Sequence, residues 1–312
     1  VKKVNLPESS ESHPIDKFID AKLSLKSLKM AEQTSKENMV QRAYLDLTGL
    51  KPSYDEIQAF VNDDSEDAFE NLVDKLLASK HYGEQAARYW LDVVRYADTG
   101  GYANDWERPH VWRYRDYVIR SFNADKPYDQ FIKEQIAGDE MESKNPESII
   151  ATGFLRTGPW EHTSMSVKEV TRQLFLDDVT ETVGKTFLAQ PVGCAKCHDH
   201  KFDPIPTKDY YRIQAVFSTA HFTDAKVPFQ KYENIGDKEG NIKLSDERLK
   251  LIDKSVKLVE KGSKTAVGPI VKKQQDYFKL EKKRYDEKAF AIKNGPASPP
   301  TKILMNGSME SP

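Results

Sequence analysis

The chain of 312 residues carries 47 basic and 49 acidic side chains, a formal net charge of −2, with 38% apolar and 10% aromatic residues. That balance describes a globular chain with a sizeable core rather than a disordered one, and it leaves no global field to hold nucleic acid or an anionic membrane. No apolar run approaches the roughly 18 residues of a membrane-spanning helix, and at about 100 to 200 residues per domain the length allows roughly two domains.

Residues 1–13 are polar and read as a flexible lead. Pro14, suited to a first helical turn, then opens a helix with Ile15, Phe18, Ile19 and Leu23 at helical spacing. Residues 38–50 give a second, with Val40, Ala43, Tyr44 and Leu47 on one face and Thr48-Gly49 at its end. Pro52-Ser53 restarts the chain for a third helix buried through Ile57, Phe60 and Val61, and residues 67–78 form a fourth. Residues 82–96 interleave Trp90, Leu91, Val94 and Tyr96 with Arg88 and Arg95, a core helix broken by Thr99-Gly100-Gly101. After a polar loop come helices at 111–122 and from Pro127 to Ile136, a short one at 149–155, and a loop from Gly158-Pro159 to Met165.

The longest helical pattern spans 167–188, with Leu174, Phe175, Val179, Val183 and Phe187 as its stripe and Ser166 and Glu169 placed for a capping box. Residues 209–217 give one more helix, and residues 221–244 read as an irregular linker with a short strand near 227–229. Between 245 and 293 two Lys- and Glu-rich helices, 245–259 and 270–290, are separated by Gly262 and Gly268, the pattern of an αα-hairpin. Residues 294–312 read as the start of a following domain, and the chain has neither an initiating Met nor a secretory leader, as expected of a piece of something longer. Few segments alternate with period two, so the fold class is mainly α.

Only two cysteines are present, too few for a disulfide framework in a chain of this size. They stand in Cys194-Ala195-Lys196-Cys197-His198. Two thiols three positions apart can each add across a vinyl group of protohaem, and the adjacent His198 then reaches the iron from the proximal side. The expectation is one covalent haem c, held by Cys194 and Cys197, inside an irregular multi-helix domain. Three other readings compete. The cysteines can be buried small apolar residues. Cys194, Cys197, His198 and His200 can hold a structural zinc, although ligands this close in sequence rarely close a tetrahedron without a second pair. A thioredoxin-like dithiol needs a βαβ setting that the helical surroundings do not supply.

A sixth iron position is filled for electron transfer or open for catalysis. His162, Met165 and His200 are the distal candidates, with His221 further on, and any one of them serves equally well as an ordinary hydrogen-bonded or core residue. Asp199, Lys201, Asp203 and Asp209 form a charged run that is either solvated surface or a shell orienting His198. Arg88, Arg95, Arg113, Arg115, Arg120, Arg156 and Arg172 lie among aromatics and suit propionates or an anionic substrate. Internal ion pairs with acids such as Asp92, Asp98 and Asp116 are their plainer role. Trp90, Trp106, Trp112 and Trp160 are core or pocket wall.

The strings at 43–50 (AYLDLTGL), 95–98 (RYAD), 114–116 (YRD), 122–129 (FNADKPYD) and 193–206, with Asp209-Tyr210-Tyr211, occur in that order. Through them the chain resembles the second planctomycete-type cytochrome-c-like domain, a family of uncharacterised function, over roughly residues 14–220. The resemblance implies an exported protein, periplasmic or at the cell surface, of bacteria some of which degrade complex polysaccharides. It also implies a downstream domain in the same longer protein, which Pro299-Pro300-Thr301-Lys302-Ile303-Leu304 looks like the start of. It carries over Cys194, Cys197 and His198 as the haem motif and supplies no reaction. The leading expectation is a haem c redox protein that passes electrons to a partner or oxidises an extracellular substrate such as a glycan. The alternative is a non-redox module with a structural metal at the Cys/His motif that binds a glycan or a protein.

Overall fold

The computed structural model describes residues 4–102, 105–141, 145–161, 167–233, 235–260 and 268–295, without the side chains of 258–260 and 268–270. Among them are twelve α-helices and one two-stranded sheet, so the mainly helical class holds. The chain divides into two compact units, Val1–Leu76 and Leu77–Pro312.

The first unit contains α1 (Pro14–Ser24), α2 (Lys36–Thr48), α3 (Tyr54–Val61) and α4 (Ala68–Leu77). Val40, Ala43 and Tyr44 of α2 pack with Phe60 of α3 and with Ala68, Leu72 and Leu76 of α4, the i, i+3, i+4 spacing that places side chains on one face. Gly49, at φ 69°, ends α2 in the left-handed region, where glycine avoids the Cβ penalty. Ser53 and Glu56 form a reciprocal capping box at the start of α3. Tyr44 then donates to Glu56 Oε1 at 2.6 Å, tying α2 to α3. The stripe of α1 forms as a helix but is not buried: Ile15, Phe18 and Ile19 are all exposed.

The second unit is built around α5 (Lys80–Val93), α6 (Trp112–Asn123), α7 (Tyr128–Ala137), α8 (Pro146–Ala151) and α9 (Lys168–Leu188). Its core joins Tyr114, Tyr117 and Val118 of α6, Phe131 of α7, Phe154, and Phe175 and Val179 of α9. α5 and α6 approach closely at Gly83, where a Cβ would stand 2.5 Å from the Asn123 side chain and 2.6 Å from the Ile119 carbonyl. At the centre of this core five polar side chains pair with one another. Trp90 Nε1 donates to Tyr114 Oη and Gln135 Oε1, Tyr114 donates to Gln135, and Tyr117 donates to Glu134.

After α9 come a 3₁₀ turn at Val192–Lys196, α10 (Thr207–Val216), β1 (Ala220–Lys226), α11 (Lys238–Glu260), α12 (Gly268–Lys283) and β2 (Lys288–Asn294). Here the structure departs from the sequence expectations. The strand lies at 220–226 rather than 227–229, α11 begins inside the expected linker, and the helix expected to run to 290 stops at Lys283. β1 and β2 pair antiparallel from Ala220 opposite Asn294 to Lys226 opposite Lys288. The physical reason lies in Ala289, Phe290, Ala291 and Ile292, four consecutive buried residues. A helix cannot bury four in a row on one stripe, whereas a strand covered on both faces does. The Ile292 amide also donates to Thr152 Oγ1, in the 3₁₀ turn Thr152–Arg156 that follows α8.

The expected capping box of α9 is not seen in the described residues. Its N-cap is Val167, which caps with no side chain, and Ser166 lies outside the described residues.

Candidate functional site

The Cys194–His198 motif follows directly from how α9 ends. Ala189 takes a left-handed conformation at φ 52°, and the Gln190 amide returns to the Gly184 carbonyl at 3.1 Å. This reverses the chain so that the 3₁₀ turn lies back along the helix. Gly184 permits the approach, because a Cβ there would meet Val192 Cγ2 at 2.9 Å and the Gln190 carbonyl at 3.0 Å. A Cβ on Gly193 would meet Glu181 Oε2 at 2.7 Å, and that carboxylate oxygen is buried with no hydrogen-bond partner among the described residues.

Side chains at i and i+3 eclipse in a 3₁₀ turn. Val192 and Ala195 point inward and pack with Tyr210 and Tyr211 of α10. Cys194 in the turn and Cys197 just past its end are both exposed, with the Cys197 amide returned to the Cys194 carbonyl at 3.4 Å.

Asp177 of α9 locks this arrangement. Its Oδ1 accepts from Gln173, Tyr210 and Gln214 at 2.7–2.9 Å, and its Oδ2 pairs with Lys196 Nζ at 2.8 Å. Tyr211 adds a bond from its hydroxyl to the Lys196 carbonyl. Burial, reinforced by the bond to Asp177, pushes the Tyr210 hydroxyl above its ordinary pKa, so it stays a donor. Nothing local in the sequence marks Asp177, because Lys196, Tyr210 and Gln214 reach it from far along the chain.

His198 is exposed, and its Nδ1 lies 2.8 Å from the Asp199 carbonyl oxygen. A carbonyl only accepts, so Nδ1 carries the proton, and Nε2 is the ring nitrogen left outside that bond. His200 has the opposite arrangement. Its Nδ1 accepts from the amides of Asp203 at 2.9 Å and Phe202 at 3.4 Å, and its side chain is only 8% exposed. His200 therefore organises the loop after the motif. Asp199 Oδ1 accepts from the Thr207 amide at the start of α10. Phe202, four residues after His198, is 84% exposed. His162 and Met165 lie outside the described residues, and His221 is on β1, its pKa lowered by burial. Among the described residues no three His, Cys, Asp or Glu side chains converge as a metal-binding group.

The arginines serve the fold, with partners mostly distant in sequence. Arg95 pairs bidentately with Asp178, Arg113 with buried Glu233, Arg120 with Glu147 and Arg156 with Asp224. Arg115 pairs with its neighbour Asp116. Arg172 gives its guanidinium to the carbonyls of Phe217, Ser218 and Ala220, and Arg88 donates to Gln85.

Residues 14–222 match the profile of PSCyt2, described as a protein of unknown function (DUF1549). No curated protein and no solved structure matches the chain.

Proposed function

The chain belongs to the PSCyt2 family, and we propose that its Cys194–His198 turn holds one covalent haem c and that the domain transfers electrons. The observation that carries this reading is the presentation of the donors: two exposed cysteines, one in a 3₁₀ turn and one just past its end, next to an imidazole whose Nδ1–H is held by the Asp199 carbonyl. That donor set fits the group. In this reading Cys194 and Cys197 would form the thioethers and His198 would offer Nε2, with the Asp199 carbonyl orienting the ring as a hydrogen-bond partner does for metal-ligating histidines. Val192, Ala195 and the Lys196–Asp177 pair hold the turn against α9 and α10. Exposed Phe202 offers apolar surface next to the motif. When bound, haem supplies one-electron chemistry at iron.

A covalent haem c entails assembly outside the cytoplasm, so the proposal includes export and a redox partner or an extracellular substrate. Cross-links from Asp246 to Lys282 and from Asp253 to Gln275 support reading α11 and α12 as an αα-hairpin. A structural metal needs three or four converging ligands, and the engagement of His200 Nδ1 by two amides disfavours the four-ligand set.

The test is a pyridine haemochrome spectrum of the full chain produced with an export leader in a host that matures c-type cytochromes. The expected spectrum is that of a haem with both vinyl groups saturated, absent from the Cys194→Ala/Cys197→Ala variant. Protein with no porphyrin and stoichiometric zinc would contradict the reading.

A further inference from the structure

The Cys194–His198 turn leaves another region of the second unit unexplained. Five buried side-chain atoms have no hydrogen-bond partner among the described residues, and two of them are His110 Nδ1 and Arg156 Nε. Both residues line one pocket of about 130 Å³, together with Arg108, Asp224, Phe222 and Phe290. A third such atom is Trp112 Nε1, on a residue lining a cleft of about 310 Å³. The two spaces share Glu107, Arg108 and Pro109 as a common wall. Buried polar atoms are nearly always paired in folded proteins, so three unpaired ones around a single wall point to a partner from outside the chain.

The chemistry of that partner follows from the donors. Arg156 lies against two rings, its Cζ 3.8 Å from the Phe290 centroid and 4.9 Å from that of Phe222. Its hydrogen bonds to the carbonyls of Thr223 and Ala291 and to Asp224 all leave from Nη1. The Nε–H edge is uncommitted, and an arginine N–H can only donate.

Arg108 is 8% exposed and gives Nη1 and Nη2 to the carbonyls of Thr157 and Gly158. It makes no ion pair among the described residues. Carbonyls satisfy its N–H groups, and the acids that act on its charge, Asp105 and Asp178, do so without an ion pair to it, Asp178 being held by Arg95. Asp224 is committed to Arg156, and Glu107 is exposed and therefore screened by water. His110 is 3% exposed, and burial holds its pKa below the ordinary value, so the ring serves the site as a neutral N–H donor rather than as a second cation.

We propose that this pocket binds a small oxyanion group, a carboxylate or tetrahedral oxoanion, recognised by the Arg156 Nε–H edge, the Arg108 charge and a His110 ring nitrogen. Its volume is well under the roughly 300 Å³ at which drug-sized pockets begin, which suits an acid group rather than a whole metabolite. That group arrives either as a free anion or as the acidic end of a larger polar molecule whose body occupies the adjoining cleft.

The full chain is titrated with sodium acetate, phosphate or gluconate against sodium chloride at matched ionic strength, following the melting temperature and the Arg156 Nε–H resonance. Saturable stabilisation and a resonance shift with the oxyanions, not with chloride, are expected. Equal response to acetate, phosphate and gluconate assigns a free anion, and a preference of about tenfold or more for gluconate assigns the acid group of a larger molecule. Because Arg156 also ties β1 to β2, its replacement endangers folding. His110→Phe instead keeps the pocket volume and removes the ring nitrogens, and it should weaken binding about tenfold, the worth of one hydrogen bond to a charged group. Responses no larger than those to chloride, or a folded His110→Phe variant that binds as the original does, would overturn the proposal.

Discussion

Asp177 receives hydrogen bonds from Gln173, Tyr210, Gln214 and Lys196, so its removal strands several donors at once in a half-buried site. Asp177→Ala is expected to cost about 2–3 kcal/mol, because leaving buried donors unpaired forfeits more than the bonds themselves contribute. Chemical denaturation measures this, and a loss under half a kilocalorie would show that the turn is held by packing alone. Glu56 gives a pH-dependent case. The bond from Tyr44, helped by the capping bonds of Ser53, depresses its carboxyl from 4.5 to about 2. A folded pKa below the unfolded one adds stability that is fully present above pH 4.5 and is lost as pH falls through about 2. The protection of amides in α2 and α3 relative to the unfolded chain should therefore fall as pH drops through that window, and Glu56→Gln should flatten the profile. An unchanged slope in the variant would assign the acid sensitivity elsewhere. The motif itself was legible because its residues are contiguous. Asp177 was not, since its partners Lys196, Tyr210 and Gln214 lie 19, 33 and 37 residues away.

At the scale of elements, the helices that announced themselves by spacing are present, α2 through Val40, Ala43 and Tyr44 and α9 through Phe175, Val179 and Val183. β2 was hidden because the Lys- and Glu-rich periodicity of α12 runs straight into Ala289–Ile292 without a glycine or proline between them. Its partner β1 lies beyond an intervening helical pair, so no local hairpin signal marks it. The segment between β1 and α11 is fastened by Glu233, whose carboxylate meets Arg113 at 2.6 and 2.7 Å with both side chains out of solvent. Glu233→Leu would leave the Arg113 charge buried, and the expected loss is about 3–5 kcal/mol. The double variant Arg113→Met/Glu233→Leu should recover most of it. If the double variant is no more stable than the single, the pair's role is geometric rather than electrostatic.

At the scale of the whole molecule, the family match ends at residue 222, but the second unit is not closed there. β2 brings buried Ala289, Ala291 and Ile292 into the same core as Phe154 and Phe175. A chain ending at Lys226 would expose that surface, and its second unit should lose cooperative unfolding and bind hydrophobic dyes. Cooperative melting of the truncated chain would show that the strand pair is dispensable. The central claim concerns what the intact molecule carries at Cys194 and Cys197, and its most direct test is the intact mass of the denatured chain after production in a host that attaches haem c. The account predicts the polypeptide mass plus one haem, retained through denaturation and lost in Cys194→Ala/Cys197→Ala. The bare polypeptide mass, with both thiols open to alkylation, would contradict it.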